Sequence, residues 1–261
     1  MSEKSRVTRW VRRLVVIVMP LFISFGWMTL VIGPVYPHYE YARPDFPTDL
    51  EGMPPATAVS LGLVPLTQAE RLELALVAVA YLESWQPAES AIVILAGQQL
   101  PHIGVRLYNR RELNHMIDVK RITDTVRWLA LVTAVPVIGG LLFLLSRPQT
   151  RQAGYLALGQ GGVFTVVLLS GIVGLILFGW SFFFYQFHVL LFPAGTWTFA
   201  TTDSLMRLYP ERFFFDVGVV MSLGAWLWGL LAAIAGYLLA WRTTITTGVT
   251  IRGTHVQKAV R

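Results

Sequence analysis

Residues 14–33 read LVVIVMPLFISFGWMTLVIG, twenty consecutive positions without a charged side chain. At about 1.5 Å of rise per helical residue, such a run matches a hydrocarbon layer about 30 Å thick. Its apolar length exceeds the roughly 7–15 residues of a signal-peptide core, and Ile32-Gly33-Pro34 is a poor small-x-small cleavage site, so a retained anchor is expected.

Working outward, the same pattern recurs three times. Residues 128–146 and 217–241 are uncharged, and the 51 residues of 152–202 contain no Asp, Glu, Lys or Arg. The last stretch is too long for one crossing, but it suits a helix over 155–180 followed by an interfacial segment. The expected fold is therefore an all-α membrane protein with transmembrane helices at 14–33, 128–146, 155–180 and 217–241. An α/β or loop-rich insertion would occupy 34–127, and an interfacial hairpin 181–216. Composition agrees: 54% of the 261 residues are apolar and 14% charged, against about 25% charged in soluble domains. The chain has no cysteine, which excludes disulfides, thiolate metal sites and thiol nucleophiles.

Charge sets the expected orientation. Segments 1–13, 147–154 and 242–261 hold eleven Lys and Arg (Lys4, Arg6, Arg9, Arg12, Arg13, Arg147, Arg151, Arg242, Arg252, Lys258 and Arg261) against one acid, Glu3. Short cytoplasmic segments retain basic residues, so both termini are expected inside and the two long loops outside. The net charge of +6 is then a topology signal, with no need for a nucleic-acid partner.

The outer region divides into unlike parts. Residues 34–65 hold seven of the fourteen prolines, which predicts an extended surface segment without helix or central strand. Thr67 and Glu70 have capping-box spacing and should open a helix to about Trp85. Two apolar stretches, 91–96 and 103–108, have strand length. Asn109 and Glu112 resemble a second cap, from which one long helix, bent near Pro136, should enter the membrane. In the apolar runs, Ala225, Gly229 and Ala233, like Ala232 and Gly236, recur at the four-residue spacing that lets helices approach closely.

Chemistry must come from histidines and outer carboxylates. Glu112, His115 and Asp118 fall at steps of three on one helix face, where a carboxylate can orient an imidazole as a general base requires. The same spacing also suits a solvated face with local ion pairs, and two ligands do not make a zinc site. His188 interrupts SFFFYQFHVLLF (181–192), and an ionisable side chain near membrane depth marks a functional site by default. Its plainer reading is an interfacial imidazole among belt aromatics. His38 and His102 read as surface residues, and His255 belongs to the tail. Beyond His188, Asp203 has the position of an N-cap for a short helix ended by Pro210. Trp197 and Phe199 suit either a connecting hairpin or a floor for acyl chains.

The series Tyr108-Asn-Arg-Arg-Glu112-Leu-Asn-His115-Met-Ile-Asp118-Val, then Phe187-His188, Trp197-Thr-Phe199, Asp203 and Tyr209-Pro-Glu-Arg-Phe-Phe214, resembles the lipoprotein intramolecular transacylase family of bacterial four-span membrane proteins. The likeness runs over about 108–216. It implies transfer of the sn-2 acyl chain of a diacylglyceryl-cysteine lipoprotein to the α-amino group of the same cysteine, in the bacterial cytoplasmic membrane, with its site on the outer side. His115 and His188 then carry over as the catalytic histidines. Tyr108, Glu112, Trp197, Phe199 and Asp203 are the expected substrate contacts.

Physically, an amine of pKa about 7.7–8.0 attacks an ester only when neutral, so an imidazole that takes its proton assists. His115 is expected as that base with Asp118 in support, and His188 as donor to the oxyanion or leaving oxygen. The expected partners are lipoprotein and membrane lipid, acted on by a monomer without metal or nucleotide. The competing readings are a lipid-binding protein without chemistry and a serine esterase, though no Gly-x-Ser-x-Gly elbow occurs. A transporter would need more spans or repeats.

Overall fold

The computed structural model describes residues 3–259, and the side chains of residues 5–243. The side chains of Glu3, Lys4, Arg252, His255, Lys258 and Arg261, used above, lie outside the described ones. In chain order the helices are α1 (Glu3–Val31), α2 (Val35–Tyr41), α3 (Pro55–Ser60), α4 (Gln68–Glu83), α5 (Ala88–Ala91), α6 (Val93–Ala96), α7 (Arg110–Leu145), α8 (Pro148–Phe178), α9 (Trp180–Leu191), α10 (Ser204–Leu208) and α11 (Glu211–Ala259). Four of them are long and apolar enough to cross a membrane, over Ser5–Val31, Arg110–Leu145, Pro148–Phe178 and Glu211–Thr243. The chain divides into two compact units, one drawing on the described residues of Met1–Trp27, Trp128–Val173 and Ser222–Arg261, the other on Met28–Arg127 and Gly174–Met221.

The first unit is built from the apolar parts of α1, α7, α8 and α11. Val15, Met19, Val137, Leu144 and Ala157 form its core. Between α8 and α11 the small residues anticipated from spacing meet: a Cβ on Gly162 would overlap the backbone of Ala233, and one on Gly236 the backbone of Gly159. Only glycine permits that approach. Lipid chains are as apolar as leucine, so this shape fit supplies what the hydrophobic effect supplies in water. Large side chains such as Ile17, Val135 and Trp228 stay exposed on the outside, as a lipid-facing surface requires.

The second unit is held differently. Arg207 reaches Asp49 through two hydrogen bonds of 3.0 and 2.7 Å, both side chains buried, and also donates to the Val64 carbonyl. Asp49 Oδ2 in turn accepts from the Leu66 amide. Arg71, also buried, donates to the carbonyls of Arg207 and Pro47 and lies over the rings of Tyr41 and Phe46. Tyrosine hydroxyls finish the weave: Tyr41 donates to Leu208, Tyr81 to Met116 and Tyr209 to Ala75.

Two expectations fail here, for identifiable reasons. The proline-rich segment 34–65 is neither extended nor confined to the surface; it contains α2 and α3 and buries Tyr36, Tyr41, Phe46 and Ala58. Four of its seven prolines occupy helix starts: Pro34 and Pro54 are N-caps, Pro55 opens α3 and Pro37 lies in the first turn of α2. There a missing N–H costs nothing. The expected β contribution to the insertion is also wrong. No strand occurs among the described residues, and only one isolated bridge joins Gln99 to Arg106. Residues 91–96 lie in the turns of α5 and α6, with Ala88, Ala91 and Leu95 buried at helical spacing. The Thr67–Glu70 capping box is present and opens α4. It holds the Glu70 carboxylate down at about 2, chiefly through the Thr67 backbone bond.

Within α2, Glu40 is fully buried. It accepts from Arg43 at 3.3 Å through Oε1, while Oε2 has no hydrogen-bond partner among the described residues. Burial, with Asp216 nearby, pushes its carboxyl up to about 7.

Candidate active site

The start of α7 is fixed by a reciprocal cap. Asn109 Oδ1 accepts from the amides of Arg111 and Glu112, and Glu112 Oε2 accepts from the Asn109 amide at 2.8 Å. The other Glu112 oxygen accepts from the amide of Leu205, at the start of α10, at 2.8 Å. One buried carboxylate therefore satisfies orphan amides of two helices and fixes α10 relative to α7. Ser204 adds a hydrogen bond to the Leu107 carbonyl.

One turn beyond the cap, α7 presents His115. Its ring lies 4.8 Å from that of Phe192 and meets the ring of Phe199 edge-on at 5.2 Å, between centroids. His188, in the last turn of α9, stacks on the same Phe192 at 5.3 Å and packs on Phe184 and Trp197 at 4.1 and 4.9 Å. Two imidazoles distant in sequence thus share one phenyl ring, and each is only 9% exposed.

Their polar atoms differ. His188 Nδ1 lies 2.7 Å from the Phe184 carbonyl oxygen; a carbonyl can only accept, so Nδ1 carries the proton and the lone pair of the neutral ring resides on Nε2. Burial holds this imidazole below its ordinary range, with the Phe184 bond acting in the opposite sense. His115 Nδ1 is buried with no hydrogen-bond partner among the described residues. A buried polar atom without a partner costs about 1–3 kcal/mol.

The expected support of His115 by Asp118 is absent. Asp118 pairs with Arg121 at 3.2 Å and makes no hydrogen bond with His115, because α7 turns that carboxylate toward a partner three residues on. Asp203 occupies the N-cap of α10 but makes no side-chain cap bond. Its carboxylate accepts from the Ala200 amide at 2.8 Å, from Arg111 at 2.8 Å and from Asn109 at 3.3 Å.

The five expected substrate contacts fall into two groups. Tyr108, Glu112 and Asp203 line an open cavity of about 570 Å³, with Arg106, Asn109 and Arg110, and neither histidine borders it. Tyr108 is buried with its hydroxyl unpartnered among the described residues. Trp197 and Phe199 instead belong to the aromatic surround of the histidines. Arg111 joins the groups, bound to Asp203 and lying 5.1 Å over the face of Phe199. Sequence reasoning missed Arg111 and Phe192. Each lies four residues from a histidine, Arg111 before His115 and Phe192 after His188, a spacing that places neighbours on one helix face. Of the others, His38 bonds the Pro34 carbonyl and His102 pairs with Glu70, both exposed. Among the described residues no group of three His, Asp or Glu is placed to hold a metal ion.

Residues 63–214, more than half of the chain, match the family model described as lipoprotein intramolecular transacylase Lit. An uncharacterised protein of Aquifex aeolicus (strain VF5) is 27% identical over 226 residues, covering 86% of this chain and 92% of its own. The fold is similar to that of the membrane integral lipoprotein intramolecular transacylase Lit from Bacillus cereus. The TM-score is 0.68 at 17% identity, over 92% of this chain and 99% of that one. A variant of that protein with one histidine replaced by arginine gives a TM-score of 0.61 at 16% identity, over 93% and 96% of the two chains.

Proposed function

The chain belongs to the lipoprotein intramolecular transacylase family, and from that premise we propose that it moves the sn-2 acyl chain of a diacylglyceryl-cysteine lipoprotein to the α-amino group of the same cysteine. The observation that carries the reading is the pair of buried imidazoles on one phenyl ring, one with a free lone pair and one with a nitrogen left unpartnered.

In the proposed reaction the neutral amine nitrogen attacks the ester carbonyl carbon and forms the C–N bond. His188 Nε2 takes the amine proton, since its Nδ1 proton is committed to Phe184. His115 donates a ring N–H to the oxyanion. This reverses the roles expected from sequence, where Asp118 was to make His115 the base. Collapse of the tetrahedral adduct breaks the C–O bond to glycerol, and His188 returns its proton to that oxygen. An ester becomes an amide plus a secondary alcohol, and both imidazoles end as they began. Holding amine and ester on one molecule removes the entropic cost of an encounter. Phe184, Phe187 and Trp197 around His188 exclude water that would hydrolyse the ester. By the charge pattern this site lies on the outer side of the bacterial cytoplasmic membrane, with both termini inside.

The test is mass spectrometry of the N-terminal lipopeptide of a reporter lipoprotein, in a host that makes only the diacylglyceryl form. Wild type should yield the N-acyl, S-monoacylglyceryl form, and His115→Ala and His188→Ala should lose it. Full activity in either variant, with the protein present in the membrane, would remove that histidine from the mechanism. An unchanged diacylglyceryl peptide with wild type would favour a binding protein without chemistry.

A further inference from the structure

A second cavity lies apart from the histidines. It has a volume of about 200 Å³ and is lined by Thr29, Ile32, Glu83, Trp85, Thr123 and Arg127. Thr29 and Ile32 come from the end of the first apolar run, and Arg127 immediately precedes the uncharged run 128–146. Two spans thus reach their polar limit at one place, and Trp85, 71% exposed, stands beside it as interfacial tryptophans do.

Its charges are not matched to each other. Arg127 donates to Asp124 at 3.1 Å and to the Leu82 carbonyl at 3.1 Å, and lies 4.7 Å over the Trp85 ring. Two of its N–H groups are used in those bonds and others remain. Lys120 supplies Asp124 with a second cation at 3.1 Å. Glu83 makes no ion pair and no side-chain hydrogen bond among the described residues; its Oε1 simply faces the turn at Gly33. An exposed carboxylate without an ion pair and a guanidinium with donors in hand therefore border one small cavity.

We propose that this cavity binds the head group of a zwitterionic aminophospholipid, with the phosphate on Arg127 and the primary ammonium on Glu83. The ammonium donates charge-assisted hydrogen bonds to the carboxylate. Phosphatidylglycerol has the phosphate but presents hydroxyls to Glu83. Diacylglycerol has neither group, although it carries the acyl esters the histidine site would take.

The experiment uses the full chain, purified in detergent and freed of lipid, with the binding of short-chain phosphatidylethanolamine, phosphatidylglycerol and diacylglycerol measured separately. Wild type should bind phosphatidylethanolamine about tenfold or more tightly than either of the others, the size of one lost charge-assisted bond. Glu83→Gln should erase that preference while leaving unfolding in lipid-free detergent unchanged. Equal binding of the three lipids by wild type would overturn the proposal, as would a Glu83→Gln protein that keeps the full preference. The comparison of lipids on wild type stands whether or not the variant folds.

Discussion

The two units of this protein are stabilised by opposite means. In the first, glycines of α8 and α11 let backbones touch, and the cohesion is van der Waals attraction among side chains that would be as content in lipid. In the second, buried arginines, tyrosines and carboxylates hold loops and short helices by specific hydrogen bonds. The polar unit is therefore the more brittle. Apolar surface that parts from its neighbour is covered again by lipid chains, whereas a buried charge deprived of its partner has no substitute.

The sharpest way to break the contrast is Asp49→Ala. It leaves the buried Arg207 guanidinium without its carboxylate and should cost about 3–5 kcal/mol, read as a large drop in thermal unfolding temperature in detergent. Removing Asp45, which pairs with Arg43 and Arg212 at the surface, should change the temperature little. Equal effects would erase the distinction between buried and exposed pairs.

Next comes Gly162→Val in the first unit. The added side chain meets backbone and not a flexible tip, so overpacking of roughly 1–3 kcal/mol is expected, with α8 displaced from α11. An unchanged unfolding temperature would mean the helices can slide apart without loss.

Glu112→Gln tests the junction of cap and site. The amide keeps one acceptor but turns a donor toward a backbone N–H, at a cost of about 1–3 kcal/mol. Transacylase activity should fall with it, because the α10 connection that positions Phe199 and Asp203 is loosened. Asp118→Asn should leave activity within about twofold, since Asp118 serves an exposed pair with Arg121. A loss as deep as that of His115→Ala would restore Asp118 to the mechanism.

The smallest effect expected is a shift in pH dependence. A neutral α-amine requires pH near or above about 8, so log rate should fall with unit slope as pH drops below that value. The slope should steepen only below about 6.5, the ordinary imidazole range, because burial keeps His188 unprotonated to lower pH. Trp197→Ala opens the surround of His188, which lets its pKa return upward and should move the steeper limb to higher pH. A limb that stays in place would mean Trp197 does not shield the ring.

This division also explains what the sequence can and cannot reveal. The apolar unit is legible because uncharged runs and four-residue spacing of small residues are local signals, and the caps at Thr67 and Asn109 are legible for the same reason. A proline count misreads the segment 34–65 because helix starts accept proline. Residues 91–96 are too short for periodicity to separate helix from strand. At the site the histidines stand out, but their meeting on Phe192 depends on how α9 and α7 fold together. The partners of Asp118 and Glu112 are likewise beyond a one-dimensional reading: spacing offers His115 to both carboxylates, and the fold supplies Arg121 and Leu205 instead.

The most direct measurement uses a synthetic diacylglyceryl lipopeptide with an isotopically heavy chain at sn-2 and a light chain at sn-1, incubated with purified protein and an excess of unlabelled lipopeptide of different sequence. Intramolecular transfer places the heavy chain on the cysteine nitrogen of its own peptide and leaves the light chain on glycerol. Heavy label on the second peptide, or a light chain on the nitrogen of the labelled peptide, would contradict it.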